Sequence, residues 1–224
     1  MKLYYHPAST TCRPIMLFAA ETGLDIDLQI VDLFTGEHVQ PPYEQINPNR
    51  LVPVLEDGDF RLTESSAILK YLADKTGSPA YPTDLRARAR VNEMMDWVNT
   101  QLCRDLAYGV VYPQMLPNHK RRSDEAQKAT IAWAKERAKA WMRVLDEKLI
   151  GPNKGYLCGD NITIADYYAA AFVALAEAIR SDLSVYPNVA RWLGNMKALK
   201  NWNKVNEAID GFAASMKDVA FETV

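Results

Sequence analysis

The sequence predicts two domains of different class: a small α/β domain over residues 1–77 and an all-helical domain over 85–224, joined by a linker over 78–84. Three observations predict it. Residues 1–77 read, in order, as strand, helix, strand, strand, strand, helix. The stretch Ser78-Pro79-Ala80-Tyr81-Pro82-Thr83 is proline-rich and has no periodicity. Beyond it the strand signals stop, and apolar residues recur at helical spacing to the end of the chain.

Leu3-Tyr4-Tyr5 reads as a short strand ending at Pro7. Ser9, Thr10 and Thr11 supply candidate caps for a helix over about 12–22, with Pro14 in its first turn and Gly23 ending it. Ile26, Leu28 and Ile30 alternate with Asp27 and Gln29, the period of a strand. A loop carrying Gly36, Glu37 and His38 leads to a helical turn over 42–45. Proline cannot donate to a strand ladder, so Pro53 opens the apolar run Val52-Pro53-Val54-Leu55 at its edge. X-Pro is also where a cis peptide is cheap. A cis Val52–Pro53 bond is expected to leave the Val52 N–H and C=O free for a peptide-like ligand. Asp57-Gly58 then signals a hairpin into Phe60-Arg61-Leu62. Thr63 or Ser65 is expected to cap a helix from Ser65 to near Gly77. The result is a small mixed sheet with helices on both faces, the thioredoxin-like arrangement.

In the second domain Arg86, Ala87, Arg90, Val91, Met94, Met95 and Val98 begin a long amphipathic helix. Another runs from Ser123 or Asp124 to about residue 149, where Gly151, Pro152 and Gly155 break it. Thr163 and Asp166 have capping-box spacing. The helix they open is apolar nearly all round and belongs at the centre of the domain. Helices through Trp192 and from about Lys204 complete the chain.

The 224 residues are 48% hydrophobic, ample for a packed core, and the net charge of −2 gives no electrostatic reason to expect nucleic acid or an anionic membrane as partner. Cys12, Cys103 and Cys158 are odd in number and far apart, which argues against a disulfide framework and for a reducing compartment. The N-terminus lacks the apolar run of a signal peptide, and the longest apolar run is too short to span a bilayer. These features predict a soluble, cytoplasmic protein without metal.

The loop after the first strand, Pro7-Ala8-Ser9-Thr10-Thr11-Cys12-Arg13-Pro14, is where a thioredoxin-like fold carries its chemistry. A dithiol enzyme needs Cys-x-x-Cys there; this chain has Ser-x-x-Cys. A serine hydroxyl can instead donate to a bound thiolate, or simply cap the helix. Glu64-Ser65 at a helix N-terminus can hold an ammonium and a carboxylate, since the free N–H groups and the dipole there attract anions.

The pattern Asn47-Pro48, Val52-Pro53, Asp57-Gly58, Glu64-Ser65, Ala67-Ile68, with Ser9 three residues before Cys12-Arg13, resembles the glutathione-binding half of cytosolic glutathione transferases. The likeness is strongest to a theta/delta-like, bacterial-type class, and Ile162-Thr163-Ile164-Ala165-Asp166 resembles that family's structural folding motif. The resemblance implies a homodimeric detoxification enzyme. It takes glutathione as co-substrate, needs no further cofactor, and joins its sulfur to a small hydrophobic electrophile such as an alkyl or aryl halide, with peroxide reduction as a side activity. It implies Ser9 as the catalytic residue and His38, Arg50, Val52, Pro53, Glu64 and Ser65 as glutathione contacts. Tyr108, Tyr112 and Met115 would line the electrophile site, with Trp202 and Phe212 candidates to close it. The helix pair from Thr83 to about residue 149 would supply much of the dimer interface. Ser66 and Leu51 depart from the family, which often has arginine and lysine there, so the glycyl end would be held by Arg50 alone or more weakly. Thr10, Thr11 and Cys12 are rivals to Ser9. Two other classes compete: a non-catalytic interaction module of this fold, and a glutathione-dependent thiol oxidoreductase using Cys12.

Overall fold

The computed structural model describes residues 1–224. The first domain contains β1 (Lys2–Tyr5), α1 (Arg13–Thr22), β2 (Asp27–Ile30), α2 (Pro41–Glu44), β3 (Val54–Asp57), β4 (Phe60–Leu62) and α3 (Ser65–Lys75). The sheet order is β2-β1-β3-β4, with β1 parallel to β2 and antiparallel to β3, and β3 antiparallel to β4. Leu3 and Tyr5 of β1 are buried on one face, while Tyr4 on the other meets the Tyr43 ring of α2 at 6.3 Å. The thioredoxin-like arrangement with helices on both faces is therefore what forms.

The local punctuation acts as expected at several points. Gly23 ends α1 in the left-handed region at φ 69°, and Gly58 turns the hairpin at φ 64°. Asp57 itself lies in β3, paired with Phe60, so the turn residues are Gly58 and Asp59. Val52–Pro53 is cis, and β3 starts one residue after it.

The strand expected from the alternation at Ile26, Leu28 and Ile30 forms as β2, and its Leu28 and Ile30 are 45% and 60% exposed because β2 is the sheet edge. The expected helix caps fail for identifiable reasons. No hydroxyl caps α1: the turn closes through the Ser9 carbonyl, which accepts the Cys12 and Arg13 N–H groups. Neither Thr63 nor Ser65 caps α3. Its N-cap is Glu64, held at φ 65° without a side-chain bond.

The second domain begins with α4 (Leu85–Trp97), capped by the Asp84 carboxylate accepting the Ala87 N–H at 2.9 Å. The helix widens to i→i+5 winding over Val98–Val111 and ends as α5 (Tyr112–Met115). Then come α6 (Asp124–Val144), α7 (Ile164–Val173), α8 (Leu175–Ala178), α9 (Pro187–Lys197) and α10 (Trp202–Ser215). All ten residues of α7 are buried, the central position that its composition predicts. The Asp166 carboxylate accepts from the Thr163 N–H and hydroxyl, each at 2.8 Å, and the Thr163 side chain accepts from the Asp166 N–H, completing the box. It also accepts from the Leu157 N–H at 2.8 Å and the Trp192 indole N–H at 2.9 Å, tying three segments together. Burial holds this carboxyl's pKa above the usual carboxylate range, and the four hydrogen bonds it accepts work against that rise.

The domains meet along α1. Arg13, fully buried, donates to the Asn206 side chain of α10 at 2.5 Å and to the Ala171 carbonyl of α7 at 3.2 Å. Its Nε has no partner, and burial lowers its pKa to about 10, which leaves it charged at neutral pH. No helix is long and apolar enough to cross a membrane.

Candidate active site

A cleft of about 330 Å³ lies between the two domains, floored by the loop before α1 and roofed by the wide stretch of helix after α4. Its first-domain wall carries Ser9, His38, Arg50, Val52, Pro53, Glu64 and Ser65; its second-domain wall carries Tyr108, Tyr112, Met115 and Phe212. Every site residue expected from the sequence therefore lines one space, except the rival Cys12 and the candidate Trp202. That indole is buried at the start of α10, outside the cleft, because the helix turns it into the core while Phe212 stays on the open side.

Because no hydroxyl is used as a cap, Ser9 Oγ is available at the base of the cleft. It lies 3.1 Å from Thr11 Oγ1, which donates to the Val52 carbonyl at 3.1 Å. The Val52 carbonyl is thus engaged, contrary to expectation, while the Val52 N–H has no partner within the chain. Thr10 is buried beside the Tyr112 hydroxyl. Cys12 is wholly buried outside the cleft, and burial pushes its thiol up to about 11 against the lowering effects of Ser9 and the Arg13 charge. It is a packed residue in an inert state.

Ser65 is buried at the first turn of α3, whose leading N–H groups have no intrahelical acceptor, and the exposed Glu64 precedes it. His38 Nδ1 is buried with no hydrogen-bond partner, on the turn Glu37–Val39. Arg50 pairs with Glu44 at 2.7 Å; both are well exposed, so the pair is worth about 0–1 kcal/mol and is readily exchanged.

The far end of the cleft is aromatic. Tyr108 and Tyr112 stack edge-on at 5.0 Å, and the His119 ring sits 5.6 and 5.2 Å from them. Burial raises both tyrosine hydroxyls and lowers His119, so all three are neutral at pH 7. Phe34, in the loop after β2, packs on His6 at 5.0 Å and on Phe212 at 5.4 Å, bridging the domains.

The family profile for the glutathione S-transferase N-terminal domain matches residues 1–74, and that for the C-terminal domain matches residues 103–200. The chain belongs to the glutathione S-transferase family. Among glutathione S-transferases, theta-1 of Homo sapiens is 34% identical over 217 residues, covering 93% of this chain and 87% of that protein. Theta-1 of Bos taurus is 34% identical, covering 88% and 82%. The apo structure of human glutathione-S-transferase T1-1 superposes with a TM-score of 0.81 at 33% identity, covering 98% of this chain and 91% of that one. A delta-class glutathione transferase of Nilaparvata lugens gives 0.78 at 32%, covering 97% and 98%.

Within this glutathione S-transferase the sequence reading missed His6, Phe34, His119 and Tyr168 as cleft residues. Phe34 alone carried a local signal, a large aromatic beside Leu33 in a loop that also holds Asp32, Thr35, Gly36 and Glu37. The others are brought in by packing between distant elements.

Proposed function

We propose that this chain is a theta-like glutathione transferase that binds glutathione across the first-domain wall, holds its sulfur as a thiolate on Ser9, and transfers that sulfur to a small apolar electrophile. The observation that carries this reading is the uncapped Ser9 hydroxyl standing in one cleft with Val52, Glu64-Ser65 and His38. Each pole of the tripeptide has a counterpart. Glu64 faces the γ-glutamyl ammonium, and Ser65 with the leading N–H groups of α3 takes its carboxylate. The unpartnered Val52 N–H pairs with the cysteinyl carbonyl. The unsatisfied His38 Nδ1 gains a partner in the glycyl carboxylate, with Arg50 alongside after exchange from Glu44.

A free thiol with a pKa near 8.5 is only about 3% thiolate at pH 7. Lowering that by roughly two units needs about 2.7 kcal/mol. A hydrogen bond to a charged acceptor supplies roughly 1.5–3 kcal/mol and a helix N-terminus roughly 0.3–1. The thiol proton leaves to solvent. The thiolate lone pair then forms the new S–C bond as the carbon–halogen bond breaks, and the halide departs with its electron pair. Tyr108, Tyr112 and Met115 surround the electrophile. The inert, enclosed Cys12 favours this reading over thiol–disulfide chemistry.

Residues 1–77 would bind glutathione and 85–224 supply the electrophile wall. We further propose a cytoplasmic homodimer, with α4 and α6 at the interface and no cofactor beyond the co-substrate. The test is the ultraviolet thiolate absorbance of bound glutathione across pH. Wild type is expected to depress the thiol pKa by about two units. Ser9→Ala should return it toward the free value and abolish most conjugation at similar glutathione affinity. Unchanged turnover and pKa in Ser9→Ala would sink the assignment.

A further inference from the structure

We propose that Thr11 is a positioning residue whose single hydroxyl proton switches from the Val52 carbonyl to Ser9 when glutathione binds, coupling capture of the peptide backbone to stabilisation of the thiolate. This rests on the reading of Ser9 given above.

The starting point is proton counting. Thr11 Oγ1 has one proton and gives it to the Val52 carbonyl at 3.1 Å. The 3.1 Å approach of Ser9 Oγ and Thr11 Oγ1 requires a hydrogen between them, so it is the Ser9 proton. In the unliganded protein the network therefore runs Ser9 to Thr11 to Val52, and Ser9 presents lone pairs to the cleft. That orientation suits a neutral thiol, which can donate to Ser9. It cannot stabilise a thiolate, which needs the Ser9 proton for itself.

Turning the Ser9 proton onto sulfur would leave two oxygens facing each other at 3.1 Å without a hydrogen. The Thr11 proton must then rotate to Ser9 Oγ. The network reverses and runs Thr11 to Ser9 to sulfur. Only O–H rotors turn; no covalent bond changes. Rotation releases the Val52 carbonyl, which can then accept the cysteinyl N–H of the same ligand, so the carbonyl is never left unsatisfied. A donor that is itself receiving a hydrogen bond is polarised, and its own bond strengthens by about 10–30%. Thr11 thus acts through Ser9 and need not touch the sulfur.

Applied to a depression of roughly two units, that polarisation is worth about 0.2–0.6 unit of thiol pKa. Thr11→Val keeps the shape and removes the rotor. It should raise the bound-thiol pKa by that amount while glutathione affinity at low pH, where the thiol is neutral, stays the same or improves. Thr11→Ser should restore the wild-type pKa. In the Ser9→Ala background Thr11→Val should do nothing to the pKa, since the two residues act as one chain. Circular dichroism and thermal melting of each variant establish that it is folded.

A Thr11→Val pKa equal to wild type would overturn the relay, as would an equal shift with and without Ser9. Weaker glutathione binding with an unmoved pKa would also overturn it, making Thr11 a brace for the Val52 loop. These results differ from failure of the Ser9 assignment, which shows as an unmoved pKa in Ser9→Ala itself.

Discussion

Removing the Asp166 carboxylate is expected to unfasten the second domain. The side chain has no solvent exposure and accepts four hydrogen bonds, two from Thr163 and one each from the Leu157 N–H and the Trp192 indole. Asp166→Ala strands three buried N–H donors; the Thr163 hydroxyl alone can turn elsewhere. Each stranded donor costs about 1–3 kcal/mol, and the neighbours relax in common, so the sum is put at roughly 3–5 kcal/mol. In a chain of this size each kcal/mol moves the melting temperature by about 2–4 °C, giving a fall of roughly 6–20 °C. Asp166→Asn keeps the volume and one acceptor oxygen for Leu157 and Trp192, but turns an NH2 group toward the Thr163 N–H. It should cost about half as much. Thermal and urea unfolding followed by circular dichroism measure both. A fall below about 2 °C for the alanine variant would show that the carboxylate's desolvation offsets its bonds, and would refute the assignment of Asp166 as the fastener.

Three shorter predictions concern the rest of the molecule. A Cβ on Gly109 would lie 2.4 Å from the Ala134 Cβ of α6, so Gly109→Ala should cost about 1–3 kcal/mol in urea unfolding, partly recovered by adding Ala134→Gly. Cys12 in the native protein should resist alkylation at pH 8, because burial holds its thiol up at about 11, and should react once urea unfolds the chain; mass spectrometry of the alkylated peptides decides it, and rapid native labelling would reopen thiol chemistry there. His38→Ala should weaken glutathione binding roughly ten-fold, about 1.4 kcal/mol by calorimetry, and should have no effect on γ-glutamylcysteine, which lacks the glycyl carboxylate.

Features set by nearest neighbours along the chain were legible before any fold was known. Gly23 and Gly58 take left-handed backbone that other residues resist, Pro53 opens a strand it cannot join as a donor, and Thr163 and Asp166 reach each other within one helical turn. The sequence also marked Ser9, Val52 and Glu64-Ser65 as a set, through the spacing that resembles a family. Hydroxyls near a helix start looked like caps because local propensity rewards that use. The tertiary structure assigned them otherwise, since carbonyl bonds close the turn and Thr11 is drawn to a carbonyl 41 residues away. The exposed edge of β2 depends on whether another element arrives to cover it, which no alternation of residue types records. The widened helix over Val98–Val111 has no local signal that explains it, and it carries Cys103 and Tyr108 into the cleft. The unsatisfied His38 nitrogen and the hydroxyl chain from Ser9 to Val52 likewise exist only where separate elements pack, because a hydrogen-bond partner is fixed by distance in space and not by position along the chain.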